Sequence, residues 1–154
     1  MHVVLHGLRI GCWAVLLAAC GSPRLPSKID WVPAKAGPVA PFVLAEAQRA
    51  VLEGRRVLVY VGATWCEPCR KLHEAVQRGA LDAKFGELRL VEYDLDRDAE
   101  RLAEAGYVSQ FIPLLAVPDE EGRASGRQFA GSVKGDGAVD RIVADLTKLL
   151  GRAR

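Results

Sequence analysis

The sequence of 154 residues contains only four cysteines, and they are not spread along it. A secreted domain held together by structural disulfides would carry an even set of cysteines along its length. Here Cys12 and Cys20 lie in an apolar leader, while Cys66 and Cys69 form a single C-x-x-C pair. The distribution excludes a disulfide-stapled scaffold and leaves two neighbouring cysteines for the folded part.

The chain also lacks an excess of charge of one sign. Its 21 basic and 19 acidic residues give a formal net charge of +2, and the two kinds are interspersed. A nucleic-acid-binding protein needs a basic stripe or patch, so we expect no nucleic-acid partner. No internal repeat is present, and the length fits one domain, which we expect to be monomeric.

No apolar run is long enough to span a bilayer, which requires about 20 residues. The run at residues 10–19 fits the h-region of an export signal instead. Its end, Leu17–Cys20, resembles the bacterial lipoprotein box. That resemblance implies that the leader is cut before Cys20 and that lipid on Cys20 anchors the mature chain to a membrane. An ordinary cleaved signal, in which Cys20 has no role, is the alternative.

Proline is concentrated in the segment after the leader, where five of the eight prolines lie between residues 21 and 41. Neither a helix nor a central strand is expected to run through such a segment. We therefore predict a leader at 1–19, a semi-extended tether at 20–41 and a folded domain at 42–154. Within the tether, Trp31 and Val32 are expected to dock on the domain.

Hydrophobic periodicity predicts alternating strands and helices in the domain. The first helix is expected to bury Leu44, Ala47 and Val51. The predicted elements are a helix at 42–53, a strand at 57–61 buried on both faces, a helix from the C-x-x-C pair to about 78, a strand at 88–96, a helix at 98–105, strands at 114–117 and around 128–129 joined by a turn at 119–122, and a helix at 139–150. This order predicts an α/β fold with a mixed central sheet and helices on both faces.

The segment Trp65–Cys69 follows the predicted buried strand and opens a helix. A helix N-terminus carries partial positive charge and free N–H groups, which favour a thiolate and lower a cysteine pKa below about 8.5. We predict that Cys66 is the exposed nucleophile and that Cys69, one turn later, is partly covered and resolves the mixed disulfide. Pro68 suits the first turn, where no N–H donor is needed.

Metal binding by the pair is the alternative to redox chemistry. A structural zinc site needs about four ligands, and the chain has no second C-x-x-C and no histidine pair. Covalent haem attachment needs a histidine after the second cysteine, where Arg70 stands. Only His73 could join the cysteines on a soft ion such as Cu(I), so we expect no metal and no other cofactor, and interpret His73 as a surface or packed residue.

Two separated motifs resemble the thioredoxin family. They are Trp-Cys-x-Pro-Cys after a valine-rich strand, and Phe111-Ile112-Pro113 before a Leu-Leu strand. The resemblance covers about residues 42–150 and implies a thioredoxin fold in which Pro113 is cis and lies against the two sulfurs. It also implies that the backbone of Ile112 pairs with an extended substrate segment, for which Gly131 leaves room. Trp65 and Pro68 would support the same site.

One position departs from cytoplasmic thioredoxin, which has a buried acid where Tyr60 stands here. Glu92, in the next strand, is a candidate proton relay for Cys69, and a purely structural role for Glu92 is the alternative. If Glu92 is structural, the proton is expected to leave by water or through Tyr60, the second candidate relay. With the lipoprotein box and the Glu67-Pro68 dipeptide, this departure resembles extracytoplasmic thioredoxins. These include cytochrome c maturation reductases and the thioredoxin modules of membrane electron-transfer proteins.

The sequence therefore predicts an envelope protein facing the periplasm or the cell exterior. The expected activity is reduction of protein disulfides through Cys66 and Cys69, with electrons from a membrane donor. Disulfide oxidation or isomerisation is one alternative. A copper-handling protein or a non-catalytic binding domain is another.

Overall fold

The computed structural model describes residues 28–151. The elements are β1 (Asp30–Pro33), α1 (Val39–Leu52), β2 (Arg56–Gly62), α2 (Glu67–Gln77), α3 (Asp82–Phe85), β3 (Leu88–Asp94), α4 (Leu95–Glu104), β4 (Leu114–Pro118), β5 (Ala124–Ala130) and α5 (Ala138–Gly151). The leader and Cys20 lie outside the described residues, so the predicted lipidation stays a prediction. Between residues 28 and 151, no helix is both long and apolar enough to cross a bilayer.

The five strands form one sheet in the order β1-β3-β2-β4-β5. β1 and β2 both run parallel to β3, whereas β4 is antiparallel to both β2 and β5. Because β1 and β2 share one direction, β1 begins at the end of the sheet where β2 begins. The C-x-x-C pair follows the opposite end of β2.

Side chains of β2 alternate between two hydrophobic cores. Leu58 and Tyr60 pack in the core shared with α2 and α5. Val59 and Val61 pack in the core shared with α1 and α4. A strand covered on both faces is a continuous apolar run, which is why β2 was recognisable from sequence. The predicted mixed sheet with helices on both faces is confirmed.

β1 lies within the segment predicted to be a tether. It pairs with residues 89–92 of β3 at the edge of the sheet. The predicted domain start at residue 42 is therefore wrong. Proline excludes a central strand, but an edge strand tolerates it, and Pro33 is the last residue of β1. The predicted docking of Trp31 is confirmed, since its ring lies 4.9 Å from that of Tyr60.

α1 begins at Val39, earlier than predicted, and buries a different face. Val43 and Ala50 are fully buried, whereas Val51 is 74% exposed. The predicted buried face of Leu44, Ala47 and Val51 is therefore wrong. Its physical reason is Glu46, a charged residue that lies on the buried face because it pairs with Arg89 of β3.

Arg89 joins three parts of the fold through one nearly buried guanidinium, whose side chain is 7% exposed. Its Nε lies 2.6 Å from Asp30 Oδ2 on β1, and its Nη2 lies 2.7 Å from Glu53 Oε2 after α1. Its Nη1 lies 3.4 Å from Glu46 Oε2. The cluster holds the edge strand and the first helix on β3.

The remaining elements differ from prediction mainly at their ends. β3 stops at Asp94 because the Asp94 carboxylate accepts the N–H groups of Asp96 and Arg97 and caps α4. α4 therefore begins earlier than predicted, and the short α3 was not predicted. The β4-β5 hairpin and the terminal helix α5 are confirmed.

Candidate redox site

Cys66 and Cys69 lie at the N-terminus of α2 and form a disulfide with Cα atoms 5.2 Å apart. Cys66 is the N-cap of the helix, and its Sγ accepts the backbone N–H of Cys69 at 3.2 Å. Pro68 lies in the first turn, as predicted. The Cys66 sulfur therefore receives a helix-end N–H group, the kind of contact that stabilises a thiolate.

Both cysteines are almost fully covered in this disulfide-bonded form. Cys66 is 4% exposed and Cys69 is 2% exposed. The predicted exposure of Cys66 is therefore wrong. Trp65, 64% exposed, and Phe111, 66% exposed, line the same groove as Cys66.

The second predicted motif lies directly before β4. The bond between Ile112 and Pro113 is cis, as predicted. The carbonyl of the buried Pro113 accepts the N–H of Gly131 at 2.9 Å. Gly131 has φ +79°, and a Cβ there would lie 3.2 Å from Phe111 Cβ. Glycine is thus required for the backbone conformation and for the space beside Phe111.

Cys66 and Ile112 line one surface groove of about 390 Å³. The apolar side chains that share it are Trp65, Pro68, Leu95 and Phe111. On its rim, Glu67 Oε1 accepts the N–H of Gly135 at 2.9 Å and fixes the loop before α5. The groove thus brings together Cys66 and Ile112, the residue before the cis proline.

The strand order, the C-x-x-C pair capping the helix after β2, and the cis proline before β4 form one arrangement. The chain has a thioredoxin fold. Several solved structures are similar to this chain. Trichomonas vaginalis thioredoxin is 28% identical, with 76% of this chain and 95% of that chain covered and a TM-score of 0.49.

Oxidised thioredoxin O1 from Arabidopsis thaliana is 17% identical, with 80% of this chain and 96% of that chain covered and a TM-score of 0.47. Poplar thioredoxin h is 18% identical, with 76% of this chain and 96% of that chain covered and a TM-score of 0.45. All three TM-scores lie below 0.5. The assignment of the fold therefore rests on the strand order and on the geometry of the site. No protein-family model matches the sequence, and no curated protein does.

In this thioredoxin fold a second cavity, of about 330 Å³, lies beside Cys69. Tyr60, His73 and Glu92 also line it. Cys66 lines the first groove, and Cys69 lines this second cavity. The two cysteines therefore have different surroundings, which agrees with different roles for them.

Glu92 is paired on both sides. Its Oε1 lies 3.0 Å from His73 Nε2, and its Oε2 accepts a short hydrogen bond from Trp31 Nε1. Burial alone would raise the pKa of the Glu92 carboxyl, but the hydrogen bonds from His73 and Trp31 outweigh it and hold that pKa below its ordinary value. A carboxylate with a lowered pKa is a weak base. The contacts of Glu92 with His73 and Trp31 therefore agree better with a structural, paired role than with a proton relay.

Tyr60 occupies the position where the resemblance implies an acid, and it is 1% exposed. Its hydroxyl has no hydrogen-bond partner among the described residues. Burial, with the nearby charges of Glu92 and Asp94, holds the pKa of Tyr60 above its ordinary value. The phenol therefore stays protonated at neutral pH and is not a proton acceptor.

His73 was interpreted from sequence as a surface or packed residue, and its pairing with Glu92 was missed. Its place four residues after Cys69 puts both on one helix face, but no local pattern in the sequence indicates Glu92 as its partner. Within residues 28–151, no three Cys, His, Asp or Glu side chains are grouped closely enough to hold a metal ion.

Proposed function

We propose that this protein is a thiol–disulfide oxidoreductase that reduces protein disulfides from the outer side of a bacterial membrane. The observation that carries the proposal is the Cys66–Cys69 disulfide at the N-terminus of α2, in a groove that is also lined by Ile112, the residue before the cis Pro113. A pair three residues apart on a helix end opens and closes without moving the fold, and this suits repeated two-electron transfer.

The proposed reaction begins with the reduced pair. The Cys66 thiolate attacks one sulfur of a substrate disulfide, the substrate S–S bond breaks, and one substrate thiolate leaves. The Cys69 thiol then loses its proton and attacks Cys66 Sγ, and the second substrate thiolate leaves. The substrate gains two electrons and, with two protons, becomes a dithiol, while the Cys66–Cys69 disulfide forms.

Two features of the groove support a protein substrate. Its lining is mostly apolar, with Trp65 and Phe111 exposed at its edge, and such side chains supply most of the contact energy of protein interfaces. An extended segment passing Ile112 would receive main-chain hydrogen bonds by strand addition. Gly131 keeps the neighbouring space open for it.

The export leader and the lipoprotein box support a protein anchored by lipid on Cys20, which we propose to be a monomer. An extracytoplasmic compartment is oxidising, so a reductase there needs electrons from a membrane partner. The anchor would hold the protein near such a donor. Cytochrome c maturation is one process that uses reductases of this kind.

The equilibrium of the Cys66–Cys69 pair with glutathione tests the direction. A potential near or below that of thioredoxin, about −270 mV, supports a reductase, whereas a value near −120 mV identifies an oxidant. Cys69→Ser should show no such equilibrium and serves as the control. Stoichiometric Cu(I) retained by the reduced pair, without reductase activity, would contradict the proposal and favour copper handling.

A further inference from the structure

His73 and Cys69 line the second cavity from one helix. They lie four residues apart on α2. Glu92 of β3 lines the same cavity, and its Oε1 lies 3.0 Å from His73 Nε2. We propose that His73 is the base that takes the proton from Cys69 when Cys69 resolves the mixed disulfide, with Glu92 as its positioning residue. This inference deepens the proposed function and rests on it.

The other groups around the cavity are poorer acceptors. Tyr60 is a buried phenol that stays protonated, and Tyr93, also buried, has its pKa raised to about 12 by burial. The guanidinium groups of Arg70 and Arg97 do not lose their protons in proteins. An imidazole is the side chain that ordinarily exchanges a proton near neutral pH.

The two carboxylates at the cavity are already engaged. Asp94 accepts two backbone N–H groups at the start of α4. Glu92 accepts from Trp31 and pairs with His73, and its pKa is lowered. A carboxylate held in this way orients an imidazole and stabilises its cation better than it removes a proton from a thiol. On α2 itself, the nearby Glu74 is half-exposed and pairs with Arg70.

The Trp31 ring completes the arrangement from the edge strand. It lies 4.1 Å from the His73 ring, centroid to centroid, and donates its N–H to Glu92. Trp31 therefore fixes the imidazole and the carboxylate in one geometry. This gives β1 a role at the site, although the sequence predicts a tether for the segment that contains β1.

Every proton that moves in the proposed step has a donor and an acceptor. Neutral His73 accepts the Cys69 proton directly or through one water, the Cys69 thiolate attacks Cys66 Sγ, and the imidazolium pairs with the Glu92 carboxylate. The proton then passes to the departing substrate thiolate or to solvent. When a donor reduces the disulfide, the same imidazolium returns a proton to the Cys69 thiolate as it leaves.

The test uses the reduced full chain with Cys12 and Cys20 replaced by serine, so that only the pair reacts. Excess 5,5′-dithiobis(2-nitrobenzoate) in a stopped-flow instrument releases one chromophore when Cys66 attacks and a second when Cys69 resolves. General-base assistance is commonly worth about 10²–10⁴-fold, so His73→Gln should slow the second phase at least about 10-fold and leave the first nearly unchanged. Added imidazole should partly restore the second phase in His73→Ala.

The pH profile separates this role from a structural one. In the parent, the rate of the second phase should rise with pH through a step that His73→Gln removes. Glu92→Gln should move that step to lower pH, because the carboxylate no longer favours the imidazolium cation, while the half-exposed Glu74→Gln should change neither phase. A second phase in His73→Gln with the rate and pH profile of the parent would overturn the inference. A parent that releases only one chromophore would overturn the proposed function together with it.

Discussion

Arg89 offers a test of how the edge strand is held on the fold. Arg89→Met keeps much of the length of the side chain and removes its charge. The guanidinium is 7% exposed, and of its three carboxylate partners Glu46 is the most buried, at 4%. We expect the substitution to lower the free energy of unfolding substantially, because Glu46 would then stay buried without its partner on β3.

The size of the loss follows from what each carboxylate can do afterwards. Breaking a buried ion pair costs about 3–5 kcal/mol, chiefly through the charge left behind. Asp30 and Glu53 are 31% and 43% exposed and would be rehydrated, and Glu46 would keep Arg49 at 2.7 Å. We therefore expect the lower end, about 3 kcal/mol, which lowers Tm by roughly 12 °C for a domain of this size.

Urea unfolding of the disulfide-bonded chain, followed by circular dichroism, measures this loss. The matched control is Arg141→Met, since Arg141 Nε lies 2.6 Å from Asp145 Oδ2, as close as any contact of Arg89, but its side chain is 59% exposed. That exposed pair should contribute about 0.5 kcal/mol or less. Glu46→Gln in the Arg89→Met background should restore part of the stability. Equal losses in Arg89→Met and Arg141→Met would refute the reasoning that burial decides the effect.

Three further predictions concern the anchor, the two sulfurs and Glu92. Cys20→Ser should leave the protein unprocessed or soluble and without incorporated labelled fatty acid, and unchanged membrane retention with labelling would contradict the anchor. Cys69→Ser should trap substrates as mixed disulfides through Cys66, whereas Cys66→Ser should trap few, and the opposite pattern in non-reducing gels would reverse the roles. Because the folded-state pKa of Glu92 lies below its ordinary value, its pairing stabilises the fold above about pH 4.3 and is lost as the pH falls through the lowered pKa. Urea unfolding should therefore show that Glu92→Gln loses less stability than the parent between pH 6 and pH 3, and equal losses would show that the pairing contributes nothing.

The parts of the fold that were predictable depend on local patterns. β2 is a continuous apolar run, and the C-x-x-C pair marks the N-terminus of α2 through its position directly after that strand. The cis bond before Pro113 followed from a resemblance carried by a few adjacent residues. Each of these features is encoded within a short window of the sequence.

The errors came from contacts between distant parts of the chain. The prediction for the buried face of α1 was wrong because Glu46 is a charged residue that can be buried only through its pairing with Arg89, which lies 43 residues later. β1 was missed because a short edge strand is recognisable only from its partner, β3. The pairing of His73 with Glu92 likewise joins a helix to a strand that follows it, and no local pattern indicates it.

The direction of β1 sets how the protein would stand on a membrane. β1 begins at the end of the sheet opposite the disulfide, so a chain anchored through Cys20 would enter the domain at its far end. The eight residues from Gly21 to Lys28 reach at most about 29 Å when fully extended. This reach of the tether is comparable to the width of the domain, since a domain with this number of residues has a radius of gyration of about 14 Å. The disulfide would therefore lie on the side of the domain opposite the point where the chain enters. An electron donor in the membrane would have to reach across the width of the domain or meet a domain that has turned on its tether.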